Sequence, residues 1–252
     1  MPLITTDAIV LHAFDYRETS RIIRLVTREL GVVSVIARGA RRPKNKFGPA
    51  LDLFASGTAE FQTTQGRDLH ALISFEATSS RSGIAESLDR FAAASAMSEL
   101  LLRFAPEDAD SALLDAVTAA LDALLDAPLG ASGSVALGGA WSLVAELGFA
   151  PSLDDCASCH AALDPSLPVA FHHRAGGALC ASCARQAPGA RTLPGDARDA
   201  LRLWLAREPS PPLDDATLRA HQRLLREFLE EHLADGKPLR ALVAWERHEM
   251  DA

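Results

Sequence analysis

All four cysteines of this chain fall into one pattern, Cys156-x2-Cys159 and Cys180-x2-Cys183, and none is left for any other task. Two thiolates three positions apart on a tight turn grip one face of a tetrahedral ion, and a second pair closes the other face at about 2.3 Å per zinc–sulfur bond. Such a site leaves zinc no open position for water or substrate, so the pattern predicts one structural Zn2+ in a folded module at residues 153–186, and argues against a zinc hydrolase. Two disulfides or two redox dithiols are the competing readings. Disulfides need an oxidising compartment, and the opening MPLITTDAIV has neither a basic start nor an apolar run leading to a cleavage site, so a cytoplasmic protein is expected. A redox dithiol usually belongs to a strand and helix unit, whereas AALDPSLPVAFHHRAGGAL suggests a short hairpin turning near Gly176 and Gly177. His160, His172 and His173 are spare ligands that four thiolates make unnecessary.

At 252 residues, with 48% apolar and 23% charged side chains, the chain can bury a sizeable core as one large or two ordinary domains. No apolar stretch approaches the roughly twenty residues needed to cross a bilayer. The net charge of −8 hides a regional imbalance: residues 1–80 carry ten Lys or Arg against eight Asp or Glu, the rest fifteen against twenty-five. Within ARGARRPKNKFG, Arg38, Arg41, Arg42, Lys44 and Lys46 stand without an acid among them, which marks a basic loop.

Up to about residue 80 the pattern is that of five strands: TTDAIVLHAF, SRIIRLVTRE, a turn at Leu30 and Gly31, VVSVIAR, the basic loop, FASGTAEFQTT, a turn at Gly66 to Asp68, and LHALISFEA. Leu69, Ala71, Ile73 and Phe75 are expected on one face of the last, and Ala55, Gly57, Ala59 and Phe61 on one face of the fourth. Five short strands in this length predict a small barrel, an OB-fold ahead of an SH3-like barrel. From residue 81 the periodicity is helical. A first helix starts at Ser82 or Gly83 with Ile84, Leu88, Phe91, Met97, Leu100, Leu101 and Phe104 as its stripe, and Pro106 ends it. Helices near 111–126, 133–147, 196–207, 216–233 and 239–248 follow, with the cysteine module inserted after the third. The expected architecture is thus α+β and multidomain: an N-terminal five-stranded OB-type barrel at 1–80, then an all-α domain at 81–252 carrying the zinc module.

No phosphate-binding loop, dinucleotide fingerprint, nucleophile elbow or zinc-protease motif occurs. Asp154 and Asp155 beside Cys156 read as a solvated turn, and His221 and His232 as ordinary surface histidines. The positive signal is the basic loop on a barrel, since phosphate contacts dominate sequence-independent affinity for nucleic acid. Phe47 beside Lys46, and Phe14 and Tyr16 with Arg17 in a loop before the second strand, offer aromatic rings for stacking, although Phe14 suits the core equally well. Arg24 falls on the polar face of the second strand and Arg21 on the opposite one.

The segments DYRETSRIIRLVTRELGVVSVIARGARRPKNKFGPAL, WSLVAELGFAPSLDDCASC and REFLEEHLADGKPLRAL, in this order, resemble the RecO family of bacterial recombination mediators. The resemblance implies a non-enzymatic DNA repair protein that binds single- and double-stranded DNA and anneals complementary strands. With RecR it would assist RecA loading onto DNA coated by single-strand binding protein, and it would be nucleoid-associated when bound. The family's basic barrel loop falls on Arg38, Arg41, Arg42, Lys44 and Lys46, with Asn45 where serine is more usual, and its zinc-type cysteines on Cys156, Cys159, Cys180 and Cys183. Arg219, Arg223 and Arg226 are candidate acceptors for the acidic tail of single-strand binding protein, or else surface pairs with Glu227, Glu230 and Glu231. A redox sensor that expels zinc on cysteine oxidation is the alternative of a different class.

Overall fold

A computed structural model describes residues 2–63, 66, 68–106, 111–211, 213–232 and 238–248, and the backbone but not the side chain of Leu129. Arg67 of the expected turn at 66–68, Pro212, Leu233 and residues 234–237 of the closing motif lie outside the described residues.

Five strands, β1 (Leu3–Tyr16), β2 (Ser20–Thr27), β3 (Gly31–Ala37), β4 (Ser56–Gln62) and β5 (Leu69–Ser79), close a barrel in the order β1-β2-β3-β5-β4. This is the expected OB-type barrel. All neighbours are antiparallel except β3 and β5, which pair in parallel over Ser34–Ile36 and Leu69–Ala71. Inward-pointing Ala8, Val10, Ile23, Leu25, Val35, Ala37, Ala59 and Phe61 fill the interior. A 3-10 turn at Gly48–Leu51 adds Leu51 to that core. The fourth strand alternates as expected, but the fifth does not. An irregularity opposite Glu60 and Phe61 skips Ile73 in the pairing, so Leu72 and Phe75 both turn inward while Ile73 is exposed. One extra residue in a strand inverts the alternation downstream of it, which is why a strict period of two misplaces this face. Farther along the same pair of strands a Cβ on Gly57 would lie 2.3 Å from the Glu76 carbonyl oxygen, so only glycine permits that close approach.

The helical part is α1 (Leu88–Phe104), α2 (Ser111–Asp126), α3 (Ser132–Glu146), α5 (Gly195–Leu205), α6 (Asp215–His232) and α7 (Arg240–His248). The first helix starts later than expected. Residues 82–86 form a 3-10 turn, and Ser87 caps α1 by accepting from the Arg90 amide. Leu88 consequently faces solvent, whereas Ala93, Ala94, Ala96, Met97, Leu100 and Leu101 are buried. Trp141, Trp204 and Trp245 lie at the centre of this core with Phe228.

Ile9, Leu11, Val26 and Phe54 of the barrel region pack into the helical core rather than the barrel interior. Two arginines reinforce that junction. Arg81, 2% exposed, donates to Asp122 at 2.6 Å, the Phe54 carbonyl at 2.7 Å and Ser56 Oγ at 2.6 Å. Arg28 joins Asp7 and Asp115, at 3.3 and 3.2 Å.

His221, expected at the surface, is 2% exposed beneath the Trp204 ring, with neither ring nitrogen hydrogen-bonded. Burial outweighs nearby Asp196 and pushes its pKa down to about 4. The unfolded chain takes up this proton near 6.5 and the folded one only near 4, so stability falls as pH drops through that window, by up to about 3 kcal/mol. Urea midpoints between pH 7 and 4 should therefore decline less steeply for His221→Leu, which has no proton to bind.

Candidate metal centre and nucleic-acid interface

Both cysteine pairs sit on turns that their own sequence shapes. The first lies at the tip of a narrow hairpin: Asp155 bridges Ala162, the Leu163 amide donates to the Asp154 carbonyl, and the Cys156 amide to the Ala161 carbonyl. The chain reverses through His160, at φ 60°, whose amide donates to the Cys156 carbonyl at 2.8 Å. The second pair follows the hairpin β6 (Val169–His172) and β7 (Gly177–Leu179), which turns at Gly176 as expected. Cys180 follows β7 and occupies the position just before α4 (Ala181–Ala184), which carries Cys183. A third strand, β8 (Arg191–Leu193), completes the small sheet. The two halves meet where Ser152 bridges Gly177 so closely that a Cβ there would lie 2.2 Å from the Ser152 oxygen.

Those turns bring the four Sγ atoms within 4.8 Å of one another. The edges of a tetrahedron with bonds of about 2.3 Å are about 3.8 Å long, and Cys159 Sγ stands 3.8 Å from Cys180 Sγ. Burial opposes ionisation of Cys156, but the amides of Cys180, Cys159 and Ser158 aimed at its sulfur prevail and bring the thiol down to about 6. Cys183 is held up at about 12 by its neighbours Cys180, Cys159 and Cys156. Four thiols this close are hard to ionise together without a cation, and a divalent metal relieves that repulsion. The donor set thus fits one four-coordinate structural metal ion. The histidines stay outside the cluster: His173 pairs with Glu227 at 3.2 Å, and His160 is exposed.

Sequence reasoning missed the groups that fix this module to the helices. Arg198 of α5, 0% exposed, donates to the Leu153 carbonyl at 2.7 and 3.1 Å, to the Asp164 carbonyl at 2.6 Å and to the Leu167 carbonyl at 3.1 Å. Arg202 grips Asp154 at 2.6 Å, giving that carboxylate an anchoring role rather than a purely solvated one. The available signal was an arginine three positions before Leu201 on an otherwise apolar stripe.

The basic residues gather at the other end of the chain. β1 runs on through Tyr16, so Phe14 and Tyr16 belong to a strand paired with Ile22 and Ser20, not to a loop as expected. Arg17, at φ 54°, opens the turn into β2 and lies over the Tyr16 ring, 5.2 Å from its centre. A cleft of about 650 Å³ is lined by three cations, Arg17, Arg38 and Arg42, and one acid, Glu18, with Ile36 and the small residues of the β1–β2 turn beside them. Arg38, Arg42 and Lys44 are exposed and have no carboxylate partner among the described residues.

Two members of the loop are otherwise engaged. Arg41 meets Asp15 at 3.1 Å and donates to the Arg17 and Glu18 carbonyls at 3.3 Å, tying the basic loop to the β1–β2 turn. Lys46 donates to the Ile73 carbonyl and lies 4.9 Å from the Phe47 ring centre. Phe47 is not a free stacking surface: only 5% exposed, its ring belongs to the barrel core. Asn45 dictates this, because its Oδ1 accepts from the Phe47 and Gly48 amides at 2.9 and 2.7 Å and bends the chain inward. Arg24 projects from β2 opposite His12 and Ser34, whereas Arg21 points to the other side and meets Asp15 at 3.3 Å. On α6, Arg226 and Arg223 pair with Glu246 at 2.6 and 3.7 Å.

Residues 1–81 match the family described as Recombination protein O N terminal, and residues 85–241 match Recombination protein O C terminal. The chain belongs to the RecO family. Among its relatives, the DNA repair protein RecO of Anaeromyxobacter sp. (strain K) is 37% identical over 92% of each chain. That of Rubrobacter xylanophilus is 32% identical over 97% of this chain and 96% of its own. That of Symbiobacterium thermophilum is 31% identical over 91% and 98%. The RecO match spans both the barrel and the helices with their cysteine module, in agreement with the resemblance of the three sequence segments. No helix among the described residues is long and apolar enough to cross a membrane.

Proposed function

We propose that this chain is a non-enzymatic mediator of DNA repair and recombination. It binds single- and double-stranded DNA through the barrel of residues 1–80, anneals complementary strands and, with RecR, assists RecA loading onto strands coated by single-strand binding protein. The observation that carries this reading is the convergence of Arg17, Arg38 and Arg42 around one cleft on an OB-type barrel in a RecO-family chain. Cations without carboxylate partners take up phosphates without first breaking an ion pair. The helical domain supplies partner contacts. The four cysteines hold one Zn2+ in a structural role, since thiolates suit that ion and a filled coordination shell leaves no place for substrate. In a cell this activity belongs in the cytoplasm, on the nucleoid.

If Arg17, Arg38, Arg42 and Lys44 are the phosphate contacts, log affinity for a single strand should fall with log salt at a slope near −3. Replacing Arg17, Arg38 and Arg42 by alanine together should make that slope shallower by about 2 and weaken binding to all sequences alike. A slope unchanged by the triple substitution would contradict the assignment. Annealing of complementary strands precoated with single-strand binding protein, without nucleotide, tests the wider role. Acceleration supports the mediator, and no effect on coated or bare strands would overturn it.

A further inference from the structure

The outer face of the barrel is divided by a pairing irregularity between Val10 and His12. On one side of it, Ile9, Leu11 and Val26 are covered by the helices. On the other, two cross-strand rows run over β1, β2 and β3: His12, Arg24 and Ser34, then Phe14, Ile22 and Ile36. Directly paired residues project to the same side of a sheet, and the intervening Ile23 and Val35 are 0% exposed inside the barrel, so both rows face outward.

Phe14 is 43% exposed, with the His12 ring 5.8 Å away. The Nε of Arg24 is buried without a hydrogen bond, and no carboxylate pairs with this arginine among the described residues. Ile36, at the end of the apolar row, also lines the cleft of Arg17, Arg38 and Arg42. An apolar strip carrying an exposed aromatic ring therefore continues into a cleft where three arginines without carboxylate partners among the described residues outnumber one acid, Glu18.

We propose that Phe14, flanked by Ile22 and Ile36, is a base-stacking platform for single-stranded DNA, with its phosphates held by Arg24 and by the cleft of Arg17, Arg38 and Arg42. This rests on the reading that the barrel binds DNA and identifies where the bases lie. Single strands fit this surface because the bases of a duplex are already stacked on one another, whereas an unpaired base offers a free face to any ring, whatever the sequence.

The test uses the full chain with an oligothymidine, an abasic strand of equal length and a duplex. Phe14→Ala should bind oligothymidine about 5- to 100-fold more weakly at fixed salt, with the salt slope and the affinities for abasic strand and duplex unchanged. Phe14→Trp should restore the affinity and add an emission that oligothymidine quenches. The native Trp141, Trp204 and Trp245 are all buried, so that quenching reports position 14. Undiminished oligothymidine binding by Phe14→Ala, an equal loss on the abasic strand, or emission unmoved at saturation would overturn the platform. Wild-type protein that binds none of the three DNAs would instead overturn the underlying DNA-binding reading.

Discussion

Cys156→Ser is expected to abolish metal binding and lower the thermal midpoint by about 8–16 °C, corresponding to at least ~4 kcal/mol in a protein of this size. Cys156 is the buried member of the set, and three backbone amides already point at its sulfur, so an oxygen there loses both the metal bond and the favoured anion. The effect propagates because the module is not a pendant. Phe171 of its hairpin packs against Phe228 of α6, with ring centres 6.1 Å apart, and Val169, Ala178 and Leu193 share the helical core. Apparent binding free energies of structural zinc, about 10–16 kcal/mol in isolated fingers, rival the stability of a whole domain. Calorimetry with and without a chelator, beside metal content per chain, measures this. Wild-type protein that contains no metal, or an unchanged midpoint in Cys156→Ser, would contradict it. Release of the metal by micromolar peroxide together with a change in DNA binding would favour the redox reading.

Arg198→Met should destabilise the protein by about 3–5 kcal/mol and accelerate metal release to a chelator, although no ligand is altered. The guanidinium meets the carbonyls of Leu153, Asp164 and Leu167, which lie on both sides of the first cysteine pair. Burial lowers the Arg198 pKa, and the partial charges of these oxygens compensate for desolvating the cation. Methionine fills much of the volume but leaves three carbonyls without their donor, at a cost of about 1–3 kcal/mol for each that water cannot reach. Lysine, a point charge on a flexible stem, cannot span all three, so Arg198→Lys should recover only part of the loss. Equal unfolding midpoints for Arg198→Met and wild type would show the arginine to be dispensable.

The metal centre was legible in the sequence because the geometry of a two-residue knuckle is local, and four ligands at that spacing leave few other structures. The barrel was legible for a similar reason: strands advertise themselves by alternation, and the fourth keeps strict alternation through Phe61. What escaped reading is what depends on partners remote in sequence. Ile73 and Leu72 exchange faces because Ile73 is skipped where β5 pairs with Glu60 and Phe61 of β4. Phe47 looks like a loop aromatic until Asn45 is seen to bend it into the barrel. Arg41 and Arg42 are adjacent and chemically identical, yet one meets Asp15 and the other lines the cleft. Arg198 is one arginine among many until its helix is placed against the module.

The division of the core between early and late residues also sets an order of assembly. Among the described residues the barrel core draws on Ile4 to Phe75, whereas the helical core includes Leu239, Leu242 and Trp245. The helices that contact β1 and β2 are α1 and α2, and at roughly 5–20 residues per second a ribosome reaches Asp126, the end of α2, about two to nine seconds after Ser79. In that interval Ile9, Leu11 and Val26 would be left to solvent as an apolar ledge on the outer face of the barrel strands. The apolar surface most open to a chaperone during synthesis would thus lie on the oldest part of the chain.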